Sequence, residues 1–393
     1  MILGPSSLTS YVPSQTVGLR PRAPRSILAT AGVLLAGALF APSHAQTPST
    51  IQLPDSLFAT GDTITWWKRI PTFCEGPAWD AATQSVFFTR QYGNGQANWP
   101  IYKIGPGQDT GDVHIETAAQ ANGLAFDAEG LLVAAQNGKL TRYKADGSVD
   151  AVLVTSGTND VTFNQANDLS IGTDGAIYFT DLGNRVFHLN AAGELSVAYT
   201  GATSANGINW VEADSAVYVN ESRQVKRYTV NPDGSLSDPQ VFITVAEGSG
   251  GTYADGSTID SHGNHYVANF QQGEIRVFNA NGDSIGRVVP QLATGSYNAL
   301  PGAMGNVSNL TFGGSDLKTL FFTGDGGLFS IRVKVPGVER FPTTSVHAGR
   351  LAPKAVFPGK AGPARDLRGR MLPASRETTG PALRLPATNS SPK

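Results

Sequence analysis

The chain has 393 residues and a formal net charge of −2 at pH 7; 15% of its residues are charged, 40% are hydrophobic, and Gly occurs 45 times. This composition excludes a coiled coil, which is rich in Ala, Glu, Lys, Leu and Arg, and it excludes disorder over the whole length. No apolar run is long enough for a polytopic membrane protein, and the Gly-rich, Val-, Thr-, Phe- and Tyr-bearing body reads as all-β.

At the N-terminus, Arg20, Arg22 and Arg25 precede an apolar run from Ile27 to Ala41, followed by Ser43-His44-Ala45. A basic start, a short apolar run and a small-x-small site predict a secretory signal peptide over 1–45. The run is shorter than the roughly 20 residues needed to cross a bilayer. The reading is therefore a secreted or periplasmic protein with no membrane span after cleavage.

From there the body repeats. Six segments each open on a polar residue and continue into short apolar strands separated by turns. Their openings are Glu75-Gly76-Pro77, Asn122-Gly123-Leu124, Asn167-Asp168-Leu169, Asn206-Gly207-Ile208, Asp255-Gly256-Ser257 and Asn309-Leu310-Thr311. The intervals between the leading residues are 47, 45, 39, 49 and 54. A period near 45 with several short strands per unit is the signature of a β-propeller. Turns such as Ala128-Glu129-Gly130 and Thr173-Asp174-Gly175 place Gly where a hairpin needs positive φ. The last repeat offers three strands, ending over Leu328–Val335, and the segment Asp62–Lys68 is a strand without a repeat of its own. The predicted fold is a six-bladed β-propeller with four-stranded blades over roughly 51–340, its ring closed by that N-terminal strand. An all-β sandwich is the alternative.

Charge separates the body from the C-terminal stretch. Residues 341–393 carry nine Lys+Arg, two Asp+Glu and eight Pro, whereas residues 46–340 have a net charge of −12. The tail has little apolar surface to offset ordering entropy, so it reads as an unstructured basic, Pro-rich tether. The acidic body argues against nucleic acid as a partner.

In a propeller the residue just before each first strand lies at the mouth of the central channel. Glu75, Asn122, Asn167, Asn206, Asp255 and Asn309 should therefore form a ring, and every one carries a side-chain oxygen. Oxygen donors that include two carboxylates suit a hard divalent cation, Ca²⁺ first, with Zn²⁺, Mn²⁺ or Mg²⁺ as alternatives. Other candidates are weaker. His262 and His265 lack a further ligand and read as a surface pair. Cys74 has no His at a characteristic spacing and reads as a small hydrophobe. There is no Gly-x-Ser-x-Gly elbow and no nucleotide-binding Gly-rich loop. The Asn-x-Ser/Thr sequences at Asn220, Asn306 and Asn309 read as incidental.

The ordered set Glu75-Gly76-Pro77, Asn167-Asp168, Asn206-Gly207 and Asp255-Gly256, with Gly313–Leu320 in the last repeat, resembles the gluconolactonase/regucalcin (senescence marker protein) family over roughly 70–335. The resemblance implies a six-bladed propeller holding one catalytic divalent cation and hydrolysing lactones. Carried over by motif, it assigns Glu75, Asn206 and Asp255 to the metal and Asn167 to the metal or the substrate beside it. It makes Asp255 the catalytic carboxylate, with Asp168 next to Asn167 as in family members, and sets Asn122 near the substrate; Asn309, the remaining member of the ring, is taken as a substrate contact. Two positions depart from the family: Gln165 stands where an Arg is usual, and Arg90 where many members have Asp. The expectation is a monomeric lactone or ester hydrolase. The rival is a propeller that binds a ligand or carbohydrate around a structural Ca²⁺ without catalysis. Three long connections, Thr155–Gln165, Thr244–Ala254 and Gln291–Ser308, should overhang the mouth and shape specificity.

Overall fold

The computed structural model describes residues 50–58, 64–91, 97–108, 111–245, 253–292, 302–303 and 305–341. The predicted signal segment 1–45, the tail beyond Phe341 and most of the connection Gln291–Ser308 lie outside them. The described chain is all-β. Its only helical pieces are two short 3₁₀ turns, Thr158–Asp160 and Glu212–Asp214.

Strands that follow one another in sequence pair antiparallel. Leu124–Phe126, Leu132–Gln136, Lys139–Tyr143 and Val149–Thr155 form one four-stranded sheet; two more run from Leu169 to Thr200 and from Ala205 to Thr244. A further sheet runs from Tyr253 to Val289, and Thr50–Gln52 pairs onto its outer strand Ser284–Val289. The strand Thr65–Asp80 serves two partners. Over Thr65–Phe73 it pairs with Thr319–Arg332, and over Cys74–Asp80 with Ser85–Arg90. Hydrogen bonding is thus continuous across the strands of the first and last repeats.

The last repeat differs from its sequence reading. The extended run ends at Arg332 rather than Val335. Arg332 Nη1 donates to Thr319 Oγ1 (2.8 Å) and Val333 N to Lys318 O (2.9 Å), so the run doubles back on itself. The reversal falls at Gly326 and Gly327, with φ of 94° and 128°, a backbone region open to glycine.

The core is built between sheets. Because neighbouring residues of a strand point to opposite faces, each sheet serves two clusters. Ile177 and Phe179 pack with Val133 and Leu140 of the preceding sheet, while Tyr178 between them packs with Val217 and Tyr228 of the following one. The same arrangement joins Ala78 and Phe87 to Leu124 and Leu132, Tyr218 to Val267 and Phe278, and Tyr266 to Phe312 and Phe322. A sixth cluster joins Phe88 and Tyr102 of the first repeat to Phe321 and Leu328 of the last. Each buried aromatic or branched side chain contributes roughly 1.5–3 kcal/mol. The structure corrects the expectation for His265. It is not on the surface: it is 3% exposed and packs edge-on to Tyr218 (4.8 Å between ring centres). Burial lowers its pKa to about 4. Alternation explains it, since Tyr266 occupies the opposite face.

Candidate active site

Each repeat begins with a leading strand, the first of its sheet, and every leading residue sits at a break in that strand's pairing. The register slips by one residue between Glu75 and Ala78, Ala205 and Ile208, Ala254 and Ser257, and Val307 and Leu310. In the other two sheets, Asn122 and Gly123 together face Ala135, and Asn167 and Asp168 together face Thr180. These are β-bulges, which bend the strand and re-aim a side chain. A bulge in every repeat thus interrupts the ladder at or beside the leading residue, while Glu75 stays paired with Thr89 and the backbone N–H groups of Asn122 and Asn167 still donate across to Ala135 and Thr180.

Hydrogen bonds from the first or second strand of one sheet also reach the leading strand of the next. Gly123 N donates to Asn167 O (2.7 Å), Thr180 Oγ1 to Asn206 O (2.6 Å), Asn220 Nδ2 to Asp255 O, and Ser308 Oγ to Cys74 O (2.7 Å). Contact is closest where Gly follows the leading residue. A Cβ on Gly76 would lie 2.0 Å from Asn122 O, and one on Gly256 would lie 2.1 Å from Asn309 Cγ. Side chains would force these strands apart.

The sequence-predicted residues converge unequally. Glu75, Asn122, Asn167, Asp168, Asp255 and Asn309 are all buried, and Asn206 is half-buried. Asn309 Nδ2 donates to Asp168 Oδ2 at 3.2 Å, joining residues 141 apart in sequence. Glu75 lies close enough to Asp255 for the Asp255 charge to oppose its ionisation. Among the described residues, the side chains of Asn122 and Asn167 make no hydrogen bond to the other leading residues.

Burial governs the electrostatics. It raises the Asp168 pKa to about 6, partly offset by hydrogen bonds from Leu169 N and Asn309. Burial raises Asp255 to about 8, the Asn206 amide favouring the ionised form and the Asp168 charge opposing it. Glu75 is pushed well up by burial and then by Asp255, with Gly76 N in partial compensation. Among the described residues no Lys or Arg forms an ion pair with these three acids. Nor are three His, Cys, Asp or Glu side chains grouped as a ready-made metal site. A cation here would be held by Glu75 and Asp255 together with asparagine oxygens. That neutral-plus-anionic oxygen set fits a hard divalent ion.

The weaker candidates resolve simply. Cys74 is fully buried against aromatic side chains, and burial drives its thiol pKa up, so it is a packing residue. Gln165 forms an isolated bridge with Asn137, and Arg90 donates from Nη1 to the Tyr102 hydroxyl at 3.4 Å. Asn220 was missed by sequence reasoning. Fully buried, it donates to Asp255 O and to Ser257 Oγ (3.0 Å) and so supports the catalytic candidate from behind. Its signal was positional: it occupies the place that Thr89, Thr180 and Thr323 take in other repeats.

Below the leading residues lies a cavity of about 260 Å³, lined by Asp168 and Asn309 and, farther along, by Val338–Phe341.

An all-β chain built from repeated antiparallel sheets, each with a bulge beside a polar residue at the start of its leading strand, defines a class of repeat-built proteins. Residues 73–325 match the family described as "SMP-30/Gluconolactonase/LRE-like region", and the chain belongs to that family. It is 27% identical to the pentonolactonase XacC of Haloferax volcanii over 275 residues, covering 67% of this chain and 86% of that protein. Its fold is similar to that of a gluconolactonase from Xanthomonas campestris (TM-score 0.56, 23% identity, 74% of this chain, 99% of the other). It is also similar to a calcium-binding protein, regucalcin, from Agrobacterium tumefaciens (TM-score 0.56, 17% identity, 72% and 97%).

Proposed function

We propose that this chain is a secreted or periplasmic, divalent-metal-dependent hydrolase of lactones or related esters, acting as a monomer on a small-molecule substrate. In this reading the sheets form a closed ring of six blades, the segment Thr65–Phe73 completing the last blade beside Thr319–Arg332. The pairing of that strand with both ends of the chain and the cluster shared by the first and last repeats support it. Closure removes an exposed sheet edge.

The observation that carries the activity is the set of buried carboxylates, Glu75, Asp255 and Asp168, gathered without a basic partner among the described residues. Burying uncompensated acids is costly and is a mark of functional sites. Glu75, Asn167, Asn206 and Asp255 would hold the cation, Ca²⁺ in the first place. When bound, such an ion polarises a carbonyl and stabilises negative charge developing on its oxygen.

The protein's own groups account for the rest. Asn122 and Asn309 offer amides to the substrate's oxygens and orient the carbonyl. Asp255, held by Asn220 through its backbone, accepts a proton from the attacking water. The water oxygen bonds to the carbonyl carbon, the ring C–O bond breaks, and the departing oxygen takes up a proton, giving the open hydroxy acid. Direct attack by Asp255 is the covalent variant of this route. Asp168, fixed by Asn309 and Leu169 N, is the second carboxylate available to move a proton.

The family membership and the name of the Haloferax relative favour catalysis over a binding propeller with a structural ion. The deciding experiment is a screen of lactones, aryl esters and phosphotriesters with Ca²⁺, Zn²⁺, Mn²⁺ and Mg²⁺, beside calorimetric titration of each metal. Metal-dependent turnover of a lactone is expected. Tight metal binding with no turnover on any ester would favour the binding propeller.

A further inference from the structure

Beyond Arg332 the chain leaves the last sheet and crosses the end of the cavity remote from the leading residues. Lys334 N donates to Leu57 O (2.8 Å), Ser261 N to Pro336 O (2.8 Å), and Gly337 N to Leu317 O (2.9 Å). Gly337 also bridges to Asp260 of the neighbouring sheet. The segment then reaches two further sheets. Arg340 Nη1 donates to Ser170 Oγ (2.8 Å) and Ile171 O (2.6 Å), and Arg340 Nη2 to Trp210 O (2.6 Å). Ser170 Oγ accepts from Trp210 N as well (2.9 Å), so one hydroxyl joins both strands and the guanidinium. Phe341 packs against the cluster containing Ile171.

These contacts fall on two particular strands. Ser170 and Ile171 lie two and three residues beyond Asp168, and Trp210 lies four beyond Asn206. We propose that Arg340 is a positioning residue for the site at the mouth. It clamps the leading strands of the third and fourth sheets and so fixes the separation of Asn167 and Asp168 from Asn206. The inference rests on the reading of the mouth as a metal site. It adds a determinant lying outside residues 73–325, the span the family describes.

The chemistry suits arginine specifically. A planar fork offers several fixed N–H donors and meets three acceptors on two strands at once, whereas an ammonium is a single compact centre. The neighbouring ring is rigid, so the clamp cannot relax easily. Trp210 lies edge-on to Tyr178 (4.9 Å between ring centres), and a Cβ on Gly172 would fall 2.0 Å from the Trp210 ring. A shift of these strands would therefore be passed toward the mouth.

The test uses the full chain and Ca²⁺ alone as the probe, with affinity from calorimetry and melting temperature measured in chelator. Arg340→Ala is expected to weaken Ca²⁺ binding about tenfold or more, within the range seen when groups that orient metal ligands are removed. Arg340→Lys should fall between it and the parent. Millimolar guanidinium ion should restore part of the affinity lost in Arg340→Ala and leave the parent unchanged. Ser170→Ala should weaken binding too, and its effect should not add to that of Arg340→Ala, since both break one clamp. Parental Ca²⁺ affinity in Arg340→Ala, with only a lowered melting temperature, would overturn the proposal and leave the segment as a fastening. If Arg340→Ala does not fold, Arg340→Lys and Ser170→Ala decide in the same way: parental affinity in both overturns it. A parent chain that does not bind Ca²⁺ would instead defeat the reading of the mouth as a Ca²⁺ site, and this inference with it.

Discussion

The two ends of the leading strands hold charge differently. At the floor, the half-buried Arg340 guanidinium, like the acids at the mouth, has no ion pair among the described residues, but its donors meet three fixed neutral acceptors, Ser170 Oγ and the carbonyls of Ile171 and Trp210. At the mouth, Glu75, Asp168 and Asp255 receive a few amide hydrogen bonds and, among the described residues, no ion pair. A charge met by fixed acceptors holds the fold in one arrangement. Unmatched buried acids destabilise it and persist where a ligand supplies the missing charge. Under the proposed function the contrast separates residues that fasten the strands from residues offered to a substrate, and perturbing either end should have its own signature.

The largest effect is expected at Asp255. Asp255→Asn keeps the size and one oxygen, so metal occupancy should fall little. It removes the basic, nucleophilic oxygen, so turnover of the best lactone should drop roughly a hundredfold or more, the range of a general base. Elemental analysis beside steady-state rates under saturating Ca²⁺ checks this. Normal turnover with metal retained would move the role to Asp168.

Metal removal should come next. Chelation is expected to lower the melting temperature, since a ligand at a hundredfold excess over its Kd adds about 2.7 kcal/mol to the folded state. The metal-free protein should also respond to pH in a definite direction. Asp168 and Asp255 titrate at about 6 and about 8 when folded, above an unfolded value of 3.8. The folded state therefore binds protons more tightly. The contribution of these two acids to stability is greatest below about pH 4, falls as pH rises through 6 and 8, and then levels, while buried His265 works the other way, its contribution falling as pH drops from 6.5 toward 4. Melting curves in chelator across that range, repeated with Ca²⁺, test it. The same metal-free profile in parent and Asp255→Asn would mean that Asp255 is not buried as described.

A smaller loss is expected at Asn309→Ala, because the family motif does not assign Asn309 to the metal. Its amide steadies Asp168 at 3.2 Å, so the change should raise the Asp168 pKa and displace the acidic limb of the rate profile upward. An unshifted profile would show that this hydrogen bond is idle in solution.

Much of the mouth was legible because its chemistry recurs. Oxygen-bearing residues at intervals near 45 mark one position in successive copies of a unit, but in the last copy the structure gives that position to Ser308 and sets Asn309 one residue on, where Asp168, Gly207 and Gly256 stand in theirs. The all-β class followed from turns and strand alternation. What sequence withheld depends on contacts between copies. The Asp168–Asn309 bond spans 141 residues, and no local pattern announces it. The bulges are slips of register, invisible until the partner strand is known. Asn220 looked like an incidental sequon, since only its register beside Asp255 gives it a task. His265 was placed on the surface because its turn was read without asking which face the strand would bury. The floor was missed entirely: Arg340 stands at the edge of a basic, Pro-rich stretch, and its three acceptors are supplied by strands 130 to 170 residues away.

The smallest effect is expected where the floor ends. A chain truncated after Phe341 should melt at the parental temperature and turn over normally. It keeps Arg340 with its three hydrogen bonds and Phe341 in its cluster, and it loses a stretch with eight Pro and only one further aromatic, Phe357. Such a composition has little to bury against the entropy of ordering it. Truncation two residues earlier, after Glu339, should behave differently. It removes the guanidinium and leaves Ser170 Oγ and two carbonyls without their donor, a change that typically costs on the order of 1–3 kcal/mol for each buried group left unpaired. Differential scanning calorimetry of the two truncations side by side reads the difference directly. Equal melting temperatures for both would place the boundary of the folded unit before Arg340. A drop already in the longer chain would place it within the basic tail.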